Sequence, residues 1–130
     1  MIKRRNIAKT HRDTYTLSDY QASSIADKVF GICPVKSELV CVKEVHGTAA
    51  GQTCTIAVER LQAVETSGNG DQVATGIDGE GTANTVQTAT LTTTASNLIF
   101  EAGDRVGTNM SGTSTTMATM NIVCEFRPVD

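Results

Sequence analysis

Five bases stand in the first twelve residues of this chain, Lys3, Arg4, Arg5, Lys9 and Arg12, with no acid among them. Guanidinium and ammonium groups at this density form charge-assisted hydrogen bonds to carboxylates or phosphates. The chemistry they offer is electrostatic docking, with no bond made or broken. Counted through Asp13, the segment holds five bases and one acid, a net of +4, while the remainder holds six bases and thirteen acids, a net of −7. A basic arm on an acidic body reads as an attachment device. The whole chain's −3 argues against nucleic-acid binding by the body, although the arm's charge suits phosphate and acidic protein surfaces alike.

The other residues able to do chemistry are few and scattered. The histidines are His11, in the arm, and His46, in a predicted turn. No nucleophile elbow or other local signature joins either to a Ser or Cys, so His46 is expected to be a polar turn residue and no catalytic residue is assigned. Cys33, Cys41, Cys54 and Cys124 include no C-x-x-C pair, which disfavours zinc and dithiol chemistry. Without a secretory signal they are expected to be reduced, and Cys54 and Cys124 keep phase with aliphatic neighbours as buried thiols do. Asp71, Asp78 and Glu80 lie in a Gly-rich stretch that does not match the EF-hand template, so no metal is expected. Gly103-Asp104 and Ser111-Gly112 lack the lysine and helix of a phosphate-binding loop and read as turns. No cofactor is implied.

These residues must be positioned by a chain of 130 amino acids, enough for one domain with a sizeable core and no need of metal or disulfides. Trp is absent and Thr is dense from Thr82 to Thr119, so the core must come from aliphatic residues, Met and Cys. That composition favours strands. The division expected is an arm, residues 1–13, and a β-domain, residues 14–130.

Within the domain, Thr14–Leu17 reads as a β-like run. Ser18, with Gln21 three residues on, suggests a helix cap and a short helix over Asp19–Ile25. Period-two or short apolar patterns mark strands at Lys28–Ile32, Glu38–Val45, Thr53–Leu61, Thr85–Thr92, Leu98–Phe100 and Arg105–Gly107. In the third of these Cys54, Ile56 and Val58 face one way, with Thr55 and Glu59 facing the other. His46–Gly51 is expected to be a hairpin loop, and Ser67–Thr82 a long surface loop with room for a short strand. The clearest strand is the last, where Ala118, Met120, Ile122, Cys124 and Phe126 share one face. Seven or eight short strands with Gly-rich turns predict an all-β, antiparallel β-sandwich, jelly-roll-like, with an extended N-terminal arm.

The start Met1-Ile2-Lys3-Arg4-Arg5 has the charge of a signal peptide but not the apolar run that should follow, and no stretch approaches the ~20 apolar residues of a membrane span. The expectation is a protein made in a cytosol, with no membrane partner. Sugar binding would lack its usual aromatic platforms, since Tyr15 and Tyr20 both lie close to the arm.

The stretches His46-Gly47-Thr48 through Thr55–Leu61, Gly81–Leu91, and Leu98-Ile99-Phe100-Glu101-Ala102-Gly103-Asp104-Arg105-Val106 resemble small β-sandwich structural proteins of tailed bacteriophages. The likeness is to capsid decoration, or cement, proteins and related accessory proteins, over about residues 28–128. It implies a non-enzymatic virion protein, made in the host cytoplasm. Such a protein sits on the outer surface of the head, often as a homotrimer, binds the major capsid protein and locks the lattice. Lys3, Arg4, Arg5, Lys9 and Arg12 would then contact the capsid, and the Thr-rich faces Thr88–Thr94 and Thr113–Thr119 would pack the trimer. The alternative is a host-surface or carbohydrate-binding module of a head fibre or tail, which predicts glycan affinity independent of the arm.

Overall fold

A computed structural model describes residues 13–130. The five arm bases, Lys3, Arg4, Arg5, Lys9 and Arg12, lie outside the described residues. Ten strands follow in order: β1 (Tyr15–Gln21), β2 (Lys28–Ile32), β3 (Ser37–Val45), β4 (Cys54–Leu61), β5 (Asp71–Asp78), β6 (Gln87–Thr88), β7 (Thr90–Leu91), β8 (Ile99–Phe100), β9 (Arg105–Gly112) and β10 (Met120–Pro128). A single 3₁₀ turn, Ala95–Leu98, precedes β8. Sheet A runs β1-β10-β3-β6, with β8 also on β3, and sheet B runs β2-β9-β4-β5-β7. All the pairings are antiparallel. The fold is therefore the expected antiparallel β-sandwich, and the chain changes sheet at every connection except β4–β5.

Alternation builds the core. From β10, Met120, Ile122, Cys124 and Phe126 are fully buried, and they meet Leu39 and Val42 of β3 and Ile56 and Val58 of β4. Aromatic rings close one end: Tyr15 stacks on Phe126 at 5.5 Å and Phe100 meets Phe126 edge-on at 5.0 Å. The four cysteines are free thiols, and all but the half-buried Cys41 are buried.

Four expectations need correction. Residues 19–21 belong to a strand, not a helix. All seven residues of β1 pair with β10, Tyr15 opposite Phe126 through Gln21 opposite Met120, and this ladder outweighs the local Ser18/Gln21 cap signal. His46–Gly51 is not a hairpin loop, because β3 and β4 lie in different sheets and the segment crosses between them, held by Gly47 and Thr48 N–H groups on the Ala118 carbonyl. The Gly/Asp-rich stretch holds the eight-residue β5, with Val73, Ala74 and Ile77 buried. Thr85–Thr92 is two short strands in opposite sheets, since Ala89 turns inward between them.

Candidate functional site

Among the described residues, nothing covers the outer face of sheet A. Outward residues of β1 (Thr16), β10 (Asn121, Val123, Glu125) and β3 (Cys41, Lys43, Val45), with Val86 beside them, enclose an open groove of about 370 Å³. The register explains its shape: Thr16, Glu125 and Cys41 form one cross-strand row, and Asn121 and Val45 another. Val123 lies between them, 36% exposed, and Val86 is 60% exposed. The floor is apolar, with Glu125, Lys43 and Glu44 as the charged residues of its lining. The chain approaches β1 at the groove's rim, where the Thr14 hydroxyl donates to Glu125 Oε2 at 2.9 Å.

The wall carrying Val86 is held from inside by a buried polar cluster. Glu44 follows Val42 on the inner face of β3, and His46 continues that phase; both are fully buried. His46 Nε2 donates to the Gly81 carbonyl at 2.8 Å, so Nδ1, 2.7 Å from Glu44 Oε2, shares one proton with that carboxylate. Gln87 donates to Glu44 Oε1 at 3.0 Å and to the Asp78 carbonyl at 2.9 Å, and its own carbonyl accepts from Asp78 N–H. The Asn84 N–H donates to the His46 carbonyl. Segment 79–86 is thus clasped at both ends. Burial by itself would push the imidazole down, but the Glu44 and Gly81 hydrogen bonds and the charges of Glu44 and Asp78 hold it above its ordinary value. Burial pushes the Glu44 carboxyl up, against the downward pull of His46 and Gln87. Both directions say that the folded cluster keeps its shared proton. His46, expected as a polar turn residue, instead sits on the inner face, where a polar side chain must find its partners inside.

Sheet B treats its outer face differently. Glu59 and Leu61 point outward from β4 yet are fully buried, because residues 62–70 fold back over them. Gly68 N–H donates to Glu59 Oε1, the Ser67 hydroxyl to the Thr108 carbonyl, and Arg105 to the carbonyls of Ala63 and Glu65. Glu59 faces away from Cys54, Ile56 and Val58 as expected, yet is sealed from solvent. Gly70 and Gly107 permit the approach: a Cβ at either would collide with backbone and with Leu61.

The body's bases are largely consumed internally. Lys28 pairs with Asp19, Lys36 with Glu101, Arg60 with Asp71 and Arg127 with Glu38. The thiols of the core are shielded: burial, with the charge of Asp104 adding to it, holds Cys33 up at about 11 against the hydrogen bond from Tyr15, and burial raises Cys54 and Cys124 also. The carboxylates Asp71, Asp78 and Glu80 are not brought together, since Asp71 is committed to Arg60 and lies at the far end of β5. Among the described residues no group of three or more His, Cys, Asp or Glu is gathered as a metal would require, and no helix is long and apolar enough to cross a membrane. The Thr-rich segments fall apart: Thr88–Thr94 spans β6 and β7. By contrast, Thr113–Thr119 is tied inward through Thr113 N–H to the Thr53 carbonyl, Ser114 to the Ile25 carbonyl and Thr116 to the Ala50 carbonyl.

No protein-family model matches this chain, and no curated protein matches it. Among solved structures, it is similar to a chain of the cyanophage Pam1 capsid asymmetric unit, at 13% identity and a TM-score of 0.49, over 90% of this chain and 84% of that one.

Proposed function

We propose that this chain is a non-enzymatic capsid decoration protein of a tailed bacteriophage, acting on the outer surface of the head and binding the major capsid protein. The observation that carries this reading is the segregation of charge. The first twelve residues hold five bases and no acid, whereas the body spends most of its own bases on internal pairs and keeps a large excess of acids. Such an arm is suited to seat on an acidic partner, and the resemblance of residues 28–128 to phage accessory proteins names the class of partner. The division into an arm, 1–13, and a body, 14–130, belongs to this reading. The change of sheet at each connection but one supports describing the sandwich as a jelly roll.

Decoration stabilises by mass action, since a protein that binds the assembled shell and not its separated subunits shifts the equilibrium toward intact heads. A homotrimer would gain avidity by engaging several subunits at once. The test mixes purified protein with expanded heads that lack it, comparing the natural chain with one in which all five arm bases are changed to Gln. Saturable binding that the variant loses supports decoration through the arm. Equal binding by both moves the interface to the body. Absence of binding by either overturns decoration.

A further inference from the structure

We propose that residues 79–86 form a flap over Cys54, closed by the proton that His46 holds between Glu44 and the Gly81 carbonyl and released when that proton is lost. The flap carries Val86, so the same proton maintains one wall of the groove on sheet A. This concerns the isolated chain and does not rest on the capsid reading.

The donor count of the imidazole carries the argument. Both ring nitrogens face acceptors: Nδ1 is 2.7 Å from Glu44 Oε2, and Nε2 is 2.8 Å from the Gly81 carbonyl. A neutral imidazole has one N–H and can serve only one of them. Once the shared proton is gone, one ring nitrogen turns a lone pair on a carboxylate or a carbonyl at hydrogen-bond distance. That clash lies out of water, where an unpaired polar group is most costly. The titratable groups around the ring are Glu44 of β3, Asp78 at the end of β5, Glu80 in the segment and the Cys54 thiol of β4. None is a base, so none replaces the lost charge. Glu44 is fixed in β3 between Ile122 of β10 and Gln87 of β6, whereas the Gly81 carbonyl belongs to a segment in which Thr82, Asn84, Thr85 and Val86 are exposed. The segment is the partner that yields. Its first residue explains why it closes over a thiol. The Gly79 N–H donates to the Cys54 carbonyl at 2.7 Å, and a Cβ on Gly79 would stand 2.8 Å from Cys54 Sγ. Lacking that carbon, the segment seals Cys54 without a gap.

Two buried thiols make the flap measurable. Cys54, 1% exposed, reports the flap, and Cys124, 0% exposed in the middle of β10, reports global unfolding. The probe is iodoacetamide added to the full chain at pH values on both sides of 6.5, the ring's ordinary value. Each cysteine's initial rate is read by peptide mass spectrometry and divided by its rate in the urea-unfolded chain at the same pH, which removes the thiol's own ionisation. The folded ring is held above 6.5, so the flap is fully closed below that pH and loosens as pH rises through the folded value. The corrected Cys54 rate should climb above pH 6.5 by up to about tenfold per pH unit and level off where the folded imidazole titrates. It should exceed the Cys124 rate by about tenfold or more, as a local opening does a global one. In His46→Asn the climb should be absent. Should that variant fail to fold, the pH at which the natural chain levels off must match the imidazole titration seen by proton NMR. Equal rates at Cys54 and Cys124 would overturn the proposal, because the opening would then be global. So would a Cys54 rate that stays flat above pH 6.5, a climb that persists unchanged in His46→Asn, or a levelling pH that departs from the imidazole's. Each of these separates the flap from the proton.

Discussion

The two outer faces of the sandwich have been finished in opposite ways. Over sheet B the chain supplies its own cover, residues 62–70, which bury Glu59 and Leu61 and are tied down by Gly68, Ser67 and Arg105. Over sheet A nothing among the described residues covers Val45, Val86 and Val123, yet the groove's wall is stiffened from beneath by the buried His46–Glu44–Gln87 cluster. A face that is bare but firmly shaped differs from one that is merely unfinished. Polar groups spent on holding segment 79–86 would be wasted if that surface met only solvent.

Breaking the clasp should have the largest effect. Replacing His46 with Ala leaves Glu44 buried without its partner, and removing one member of such a pair costs about 3–5 kcal/mol. Denaturant titration should show that loss, and amide exchange should rise first in residues 79–86. Breaking the covered face comes next: Leu61→Ala removes a buried side chain under the loop and should cost about 2–4 kcal/mol, opening residues 62–70 to protease while the groove keeps its shape. A result in which Leu61→Ala exposes segment 79–86 equally would erase the distinction between the faces.

A change of pH sharpens the comparison without mutation. The His46 ring is held above its ordinary 6.5, so its contribution is complete below that value and is lost as pH rises through the folded value. The raised Glu44 carboxyl has the same sign, because the folded state holds the proton more tightly than the unfolded chain, whose value is 4.5. Stability measured by denaturant midpoint should therefore fall as pH rises above 6.5, and His46→Asn should flatten that slope. Above pH 9 the buried thiols act in the same direction, since unfolding lets them ionise. Smallest of all, Val123→Thr on the bare face should move stability by less than about 0.5 kcal/mol. A loss comparable to that of Leu61→Ala would mean the groove is already closed by tightly packed chain.

How far the sequence foretold this follows from what each element is exposed to. β10 has one wet side and one dry side, so its alternation was plain. β5 was obscured because register shifts against β4, near Ile56, Val58 and Glu59, break the period of two, and because Gly76 sits within it at φ +87°. β1 carried a genuine capping pattern that only the distant β10 could overrule. Glu44 at the end of β3 and His46 just past it stood at i and i+2, in an inner phase set by Leu39 and Val42 across the irregularity at β10's Glu125 and Phe126. A polar pair in a core phase was the available signal, and Val123, an apolar residue between Asn121 and Glu125 on the opposite face of β10, was the signal for the groove. The attachment role of the arm was drawn from charge alone.

The pairing of β1 with β10 and with no other strand carries a consequence for how the molecule comes into being. Among the described residues, the first strand to be made has its only ladder partner in the last, β10, Met120–Pro128. Sheet A cannot be completed before β10 has been made, and the connections that switch sheets elsewhere defer most other contacts as well. Assembly of this sandwich must therefore wait for its last strand.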